Sequence, residues 1–404
     1  LATTDVPVKS LQPYVHLESG CVITADIRID NRSDLLDALE CRRPDDLDDP
    51  ELAVLAYLKW GEDSPKYLVG DFAFAIWDPR DKTIFGARDG FGMRHFYYHY
   101  ARGKRFVFAS SPRAILVLPE VPYRINEGRI ADFLVPELQW IDYTSTFFED
   151  VFRLPPGHTL TVTTDNFQIR EYWRPEPGPE LGSLSDDQYR EGFLEVFEKA
   201  VDARLRAPAN SVGSMLSGGM DSGTVTVVAS NLRATRGEMP LPTFSAARHP
   251  DIDCDESRGI HAAARMPAID PTIVYPEELA ACHDELVTGY DEPFDANFVL
   301  LKALYLAARK KGLRILLDGG GGDIVLNEGA YINRLIRRGQ LGAAWHAIKG
   351  QSEYWEGPPL PVNVGRFMRS ALTPQSVKRL LRPLRRKRYV ERSLKQSIIS
   401  RELA

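Results

Sequence analysis

Six consecutive residues, Ser217, Gly218, Gly219, Met220, Asp221 and Ser222, combine the groups that hold a polyphosphate. Two glycines let the backbone turn tightly and approach a ligand. Amides at a helix N-terminus point at an anion, and the helix dipole favours its charge. Ser217 and Ser222 add hydroxyl donors. Asp221 would repel bare phosphate, so its expected partner is Mg2+, which phosphate also binds. A plain turn with a helix cap needs one Ser or Asp, not this full set. The second acidic site is Asp323, which follows the glycines Gly319, Gly320, Gly321 and Gly322. Four successive glycines are costly in conformational entropy, so close approach of a ligand is the expected use of Gly319 and Gly320. A flexible turn with an exposed Asp is the alternative. Glu292, between Asp291 and Pro293, is the expected general base, from its place near the strand ends. A structural cap or surface ion pair is its bland alternative. His249, His261 and His283 have a suitable pKa, but lone histidines are more often structural.

The elements that must position these residues are legible in the pattern. Residues 211–216 read as a short strand and a helix opens at Gly223, so the hexapeptide sits between strand and helix. Further strands are expected at 242–246 and 314–317, with helices at 189–205, 256–265 and 298–308. Alternating strands and helices imply a parallel sheet covered on both faces. In such sheets ligands bind at the carboxyl ends of the strands. The first part of the chain is instead β-rich, with strands expected at 21–29, 71–77, 106–109 and 159–163. Turn residues 78–81 imply a hairpin. Helical spacing appears at Leu35, Leu36 and Leu39, and again over 52–58. Residues 174–182 hold three prolines and two glycines, the composition of an interdomain linker. Two domains are therefore expected, 1–174 and 187–404, the second ending in a helical, basic part.

Composition removes several classes. The chain has 404 residues, 44% hydrophobic and 26% charged, with net charge −6. Those are values of a globular protein rather than a disordered chain or a polycation built for nucleic acid. No apolar run is long enough to span a membrane, and no signal peptide is apparent. Four dispersed cysteines, Cys21, Cys41, Cys254 and Cys282, form no CxxC pattern. A cytoplasmic location fits that usage best. Residues 366–392 carry ten Lys or Arg and one acid. Such a run reads as a solvated basic helix or tail, with an acidic peptide, pyrophosphate or RNA as other occupants. Only Phe367 and Tyr389 offer rings there, too few for a base-stacking surface.

The 217–222 hexapeptide is similar to the SGGxDS pyrophosphate loop of ATP-pyrophosphatases, which cleave ATP between the α and β phosphates. Residues 70–78 (GDFAFAIWD), 87–92 (ARDGFG) with Tyr97 and Tyr98, and 154–158 (LPPGH) resemble the N-terminal half of asparagine synthetases. Residues 291–293 (DEP) and 317–323 (LDGGGGD) continue the resemblance, which spans about 20–330. It implies an α+β glutaminase-like (Ntn-type) sandwich, followed by an α/β parallel-sheet ATP-pyrophosphatase synthetase domain. It also implies ATP and Mg2+ as cofactors. Asp221 and Asp323 would bind Mg2+. Ser217, Gly218, Gly219 and Ser222 would bind pyrophosphate. Strand residues including Phe244 and Ser245 would place backbone groups at the adenine edge.

Departures from the family pattern narrow the expectation. A glutaminase uses an N-terminal cysteine, and the sequence begins Leu1-Ala2. The family's NGEIYN segment corresponds to 24–29, where Thr24 and Ala25 stand in place of the Asn-Gly pair. Losing one oxyanion donor costs about 2.7–4 kcal/mol of barrier. Val69 stands where an Asp would grip glutamine's ammonium, and an apolar side chain cannot pair with it. The N-terminal domain is therefore expected to lack glutaminase activity. In the second loop Gly320 replaces the Glu of asparagine synthetases and the Tyr of β-lactam synthetases. It cannot accept a proton, but it leaves room for a bulky acceptor. Residues 25–32 look like the lasso peptide cyclase version of the NGEIYN strand. The resemblance then implies macrolactam closure in a precursor peptide through an acyl-adenylate. A leader-binding protein and a leader protease are its expected partners, with no nucleic acid and no membrane. The catalytic Lys usual in the family is not assigned among Lys349, Lys378, Lys387 and Lys395. A β-lactam synthetase, an ammonia-dependent asparagine synthetase and a degenerate peptide- or nucleotide-binding scaffold are the alternatives.

Overall fold

The computed structural model describes residues 11–41, 47–135, 138–139, 141–176, 184–208, 210–249, 252, 254–275, 292, 297–322, 329–354, 358–374 and 377. The chain divides into two compact units, Leu1–Ile130 with Ile141–Asp318, and Ala131–Trp140 with Gly319–Ala404.

The first unit begins with two antiparallel sheets. The larger contains β1 (Tyr14–Val15), β2 (Val22–Ile29), β3 (Gly70–Asp78), β4 (Thr83–Arg88), β8 (His158–Val162) and β9 (Phe167–Glu171), in the order β1-β2-β3-β4-β8-β9. The smaller contains β5 (Tyr97–Ala101), β6 (Arg105–Ala109) and β7 (Phe152–Arg153), in the order β6-β5-β7. Strand β3 explains how the layers stack. Its large residues Phe72, Phe74 and Ile76 pack with Leu35 of α1 (Arg32–Ala38) and Leu52 of α2 (Asp49–Trp60). Its small residues Ala73 and Ala75 join Phe96, Tyr98 and Leu160 between the two sheets. Alternation sends successive side chains to opposite faces, so one strand serves two cores. Burying each large ring contributes about 1.5–3 kcal/mol. On the outer face of the smaller sheet, Tyr97 packs with Ile115 of α3 (Pro112–Leu116), Val121, Phe148 and Val151. The hairpin expected at 78–81 is present, with Asp78 opposite Thr83.

The two motifs at 87–92 and 154–158 lock the turns of this domain. Asp89, 1% exposed, accepts the backbone N–H groups of Phe72, Phe91, Met93 and Arg94. Arg88 donates to the carbonyls of Gly92, Arg94 and Leu154. A Cβ on Gly157 would lie 2.3 Å from the Trp173 carbonyl oxygen, so only glycine fits that turn. Asp89→Ala would leave four amides without their acceptor, the Phe72 one buried and the other three partly so, each buried loss costing about 1–3 kcal/mol. The expected result is a stability loss of about 3–5 kcal/mol in urea denaturation, a value reached by few single substitutions.

A parallel sheet completes the unit. It contains β10 (Val212–Met215), β11 (Leu241–Ala246), β12 (Ile269–Val274) and β13 (Ile315–Leu317), ordered β12-β11-β10-β13. Helices α5 (Asp186–Leu205) and α6 (Met220–Thr235) cover one face, where Val201, Val228 and Ala229 meet Val212 and Leu241. Helix α8 (Asn297–Lys310) covers the other, where Leu304 and Ala308 meet Met215 and Phe244. Ser185 opens α5 with a reciprocal cap to Gln188, which fixes its start three residues before the expected one. The strand order reverses between β10 and β13, so the chain leaving β10 and the chain leaving β13 emerge side by side. That is where ligands bind in open parallel sheets.

The second unit is helical in its described part. Residues Ile332, Ile336, Ile348 and Phe367 bring together α9 (Gly329–Arg337), α10 (Leu341–Tyr354) and α11 (Leu360–Leu372). The basic run at 366–392 begins in α11 and otherwise lies mostly outside the described residues, as does most of the linker expected at 174–182. No described helix is long and apolar enough to cross a membrane.

Candidate active site

The 217–222 loop leaves β10 and enters α6. Helix α6 starts at Met220, three residues before the start expected from the pattern. The reason is Gly219, whose extended backbone (φ −81°, ψ 165°) serves as the N-cap. Asp221 and Ser222 thereby fall in the first helical turn, where negative charge is favoured by the dipole. No side chain caps this terminus, so the first-turn amides are left to an external acceptor.

The loop is held in shape from within. Ser222 Oγ accepts from the Ser217 amide at 3.1 Å and lies 2.8 Å from Ser217 Oγ. Ser222 is buried, while Ser217, Gly218, Gly219 and Met220 are exposed. The two serines thus differ in role: Ser222 shapes the loop and Ser217 faces outward with it. Gly218 takes φ +77°, and a Cβ there would sit 2.5 Å from the backbone carbon of Gly259. Gly259 belongs to α7 (Asp255–Ala263) and faces Gly218 in return. This pair of glycines seats the loop directly on the α7 backbone. Gly259 escaped the sequence reading because an isolated glycine in a helical stretch carries no local signal of a partner 41 positions away. The start of α7 is fixed by Cys254, whose Sγ accepts from the Ser257 amide at 3.4 Å. Hydrogen bonds from Ser257 pull the Cys254 thiol below its ordinary pKa.

Phe244 and Ser245 stand on the neighbouring strand and buttress the loop. The Leu216 amide donates to Phe244 O at 2.9 Å, and Ser245 Oγ donates to Leu216 O at 2.5 Å. Both contacts fix the residue just before Ser217. The Phe244 ring itself is fully buried among Met215, Val274, Leu304 and Leu313, so its side chain serves the core.

Asp221 is half-buried and, among the described residues, its carboxylate has no hydrogen-bond or ion-pair partner. An unpaired carboxylate beside open amides fits a hard divalent cation that shares its remaining positions with phosphate oxygens and water. Asp323, the second expected ligand, lies outside the described residues. Gly319 and Gly320 belong to the second unit, where the Gly322 amide donates to Gly319 O at 3.2 Å. The structure therefore brings together Ser217, Gly218, Gly219, Asp221, Ser222, Phe244 and Ser245.

Glu292 is placed elsewhere. Its carboxylate accepts from Arg153 Nη2 at 2.6 Å, from the Phe147 amide at 3.0 Å and from Tyr97 Oη at 3.3 Å. All three donors come from the N-terminal half. His249 and His261 flank and end the α7 segment, and His283 lies outside the described residues. Lys349 is an exposed residue of α10, 3.6 Å from Glu353. Lys378, Lys387 and Lys395 lie outside the described residues.

A two-layered antiparallel domain followed by a parallel sheet with a glycine-rich loop at its switch point defines an α/β nucleotide-type fold joined to an amidotransferase-type domain. The chain belongs to the asparagine synthase family, whose pattern matches residues 192–402, while a glutamine amidotransferase domain matches residues 1–173. The chain is 30% identical over 354 residues to a protein of Methanocaldococcus jannaschii named as a glutamine-hydrolysing asparagine synthetase, covering 83% of this chain and 66% of that one. It is 30% identical over 223 residues to asparagine synthetase 3 of Bacillus subtilis, covering 55% of this chain and 34% of that one. It is 27% identical over 293 residues to an amidase of Penicillium rubens, covering 68% and 42% of the two chains. The chain thus spans between about a third and two thirds of the length of these relatives.

Proposed function

We propose that this protein is an ATP-dependent, AMP-forming carbon–nitrogen ligase that adenylates a carboxylate of a ribosomal precursor peptide and closes a macrolactam ring. The observation that carries the ligase reading is the uncapped amide terminus of α6 beside the Asp221 carboxylate, unpaired among the described residues, at the switch point of the parallel sheet. Residues 187–404 supply this chemistry, and residues 1–174 form a glutaminase-like domain without glutaminase activity.

In the first step a substrate carboxylate oxygen attacks the α-phosphorus of ATP. The bond to the bridging oxygen breaks, pyrophosphate leaves and an acyl-adenylate remains. Adenylation turns a poor acceptor into a reactive one. The amides of the 217–222 loop and the Ser217 hydroxyl hold the departing pyrophosphate. Mg2+ on Asp221 and Asp323, when bound, supplies positive charge against the polyphosphate. In the second step an amine of the same peptide attacks the acyl carbon, loses its proton and displaces AMP. Holding both ends of the peptide together raises the effective concentration of amine.

Two features favour ring closure over ammonia chemistry. Thr24 and Ala25, where the oxyanion-binding Asn-Gly pair of the family pattern would stand, carry no side-chain amide donor. Gly320 leaves the acceptor side open. A leader-binding protein and a leader protease would accompany the reaction in the cytoplasm.

Mass spectrometry of the protein with Mg2+-ATP and a precursor peptide, with any leader protease added, tests the proposal. AMP formation with loss of one water from the peptide is the expected result. AMP formation with small amino acids and ammonia but no change in the peptide would move the activity to asparagine or β-lactam chemistry. No AMP with any acceptor would favour a scaffold.

A further inference from the structure

The motifs at Tyr97, at 154–158 and at 291–293 have no role in the pyrophosphate loop, yet residues in or beside them meet at one carboxylate. Tyr97 opens β5, and Arg153 lies opposite it in β7. The Arg153 guanidinium stacks over the Tyr97 ring at 5.8 Å and donates from Nη1 to Ser145 O at 3.0 Å. Its other amino group reaches Glu292, and the Phe147 amide and Tyr97 hydroxyl complete the set. Both carboxylate oxygens are engaged, and the Arg153 and Glu292 side chains are only 19% and 12% exposed. Burial disfavours the Arg153 charge, but Glu292 and Tyr97 outweigh it and hold the guanidinium above its ordinary pKa. A pair this enclosed is costly to break, because removing one partner leaves the other charge buried.

A second set of contacts joins the same two halves at the end of α5. Arg204 pairs with Asp71 at 2.5 Å and with Asp30 at 3.3 Å. Arg28 donates to Ala203 O, and Arg206 donates to Ile29 O. This junction lies at the far end of the helix that follows the linker. The Glu292 junction lies much later in the chain, beyond β12. Two attachments far apart in sequence fix the relative orientation of two bodies far better than one.

We infer that Glu292 is a positioning residue: with Arg153, Tyr97 and the Phe147 amide it clasps the N-terminal domain to the parallel-sheet domain. The N-terminal domain then acts as a fixed platform for the adenylating half. A carboxylate committed to three donors is poorly suited to take a proton from a substrate amine. The kinetic consequence rests on the ligase reading; the clasp itself does not.

The test compares Glu292→Gln, Arg153→Met, the double variant and Arg153→Lys in the full chain. Peptide-dependent AMP formation is followed across the neutral pH range, and heat unfolding is followed by calorimetry. Each of the first two variants should lower kcat by about 10- to 100-fold, as small misplacements of reacting groups do. The double variant should be no slower than the slower single, and the pH profile should keep its shape. Arg153→Lys should recover most of the rate. A single unfolding transition in the parent should separate into two in Glu292→Gln and Arg153→Met. A large loss in Glu292→Gln alone, with its acid limb gone and Arg153→Met fully active, would make Glu292 the base and overturn the clasp. Unchanged rates with an unchanged single transition would also overturn it. If the parent forms no AMP, the ligase reading fails, and the calorimetric arm alone decides the clasp.

Discussion

Asp221→Asn should lower ATP-dependent pyrophosphate release about 1,000-fold while leaving the fold intact. The carboxylate is half-buried and unpaired among the described residues, so its loss removes no native contact described in the free protein. What it removes is the negative charge that a divalent cation needs beside the polyphosphate. Losing one preorganised electrostatic partner of a transition state commonly costs about 100- to 1,000-fold. The amide side chain keeps the shape and one oxygen, so heat stability should shift by little. A pyrophosphate-release assay at saturating Mg2+, beside a melting curve, checks both halves of the expectation. Full turnover in the variant would show that the metal is not held at Asp221. Unchanged peptide binding with no turnover in either protein would identify a scaffold.

Gly218→Ala should give the second large effect, and by a different route. The residue sits at φ +77°, and its new Cβ would lie 2.5 Å from Gly259 C and 2.6 Å from Ile260 N. Both obstacles are backbone, so nothing can rotate away. An L-residue in the left-handed region costs about 1 kcal/mol, and forced overpacking adds about 1–3 kcal/mol. The expected loss of stability is therefore about 2–4 kcal/mol by urea denaturation, with pyrophosphate binding lost as the loop lifts from α7. Gly219→Ala is the internal comparison. Its Cβ would meet only Ser217 Oγ, at 3.4 Å, and its φ is ordinary. That variant should fold normally, and any loss of ligand affinity in it reports the close approach of the polyphosphate. Equal stability for the two variants would contradict the seating of the loop on α7.

These contrasts also mark what the sequence could and could not reveal. The loop was legible because its chemistry is local: six adjacent residues between an apolar strand and a helix. The start of α6 was misread by three residues because Met220, Asp221 and Ser222 resemble a turn, whereas extended Gly219 caps the helix before them. Strand β12 was overlooked because Pro271 interrupts its pattern. Its place at the edge of the sheet accounts for that proline, which need not donate to a second neighbour. Large and small residues alternating in β3 marked a strand, but not that both of its faces would be buried. Glu292 could not be assigned from spacing at all. Its partners lie 139 to 195 positions away, and a lone acidic residue beside a proline reads equally well as base, cap or ion pair.

The motifs of the N-terminal half teach the same lesson in another form. They carried the resemblance to glutamine amidotransferase domains, yet Arg88 and Asp89 are spent on backbone groups of their own turn, of β3 and of Leu154. Those contacts serve packing whether or not the domain hydrolyses glutamine. The family assignment and the catalytic assignment therefore rest on different residues.

The central claim is adenylation of a peptide carboxylate, and one isotope measurement tests it most directly. The substrate carboxylate is labelled with heavy oxygen, the reaction is run with Mg2+-ATP, and the AMP formed is weighed by mass spectrometry. Attack of that carboxylate on the α-phosphorus must leave one labelled oxygen on AMP. Transfer of one label, together with pyrophosphate release, is the result expected. Unlabelled AMP, or ADP and phosphate in its place, would contradict the assignment of this site.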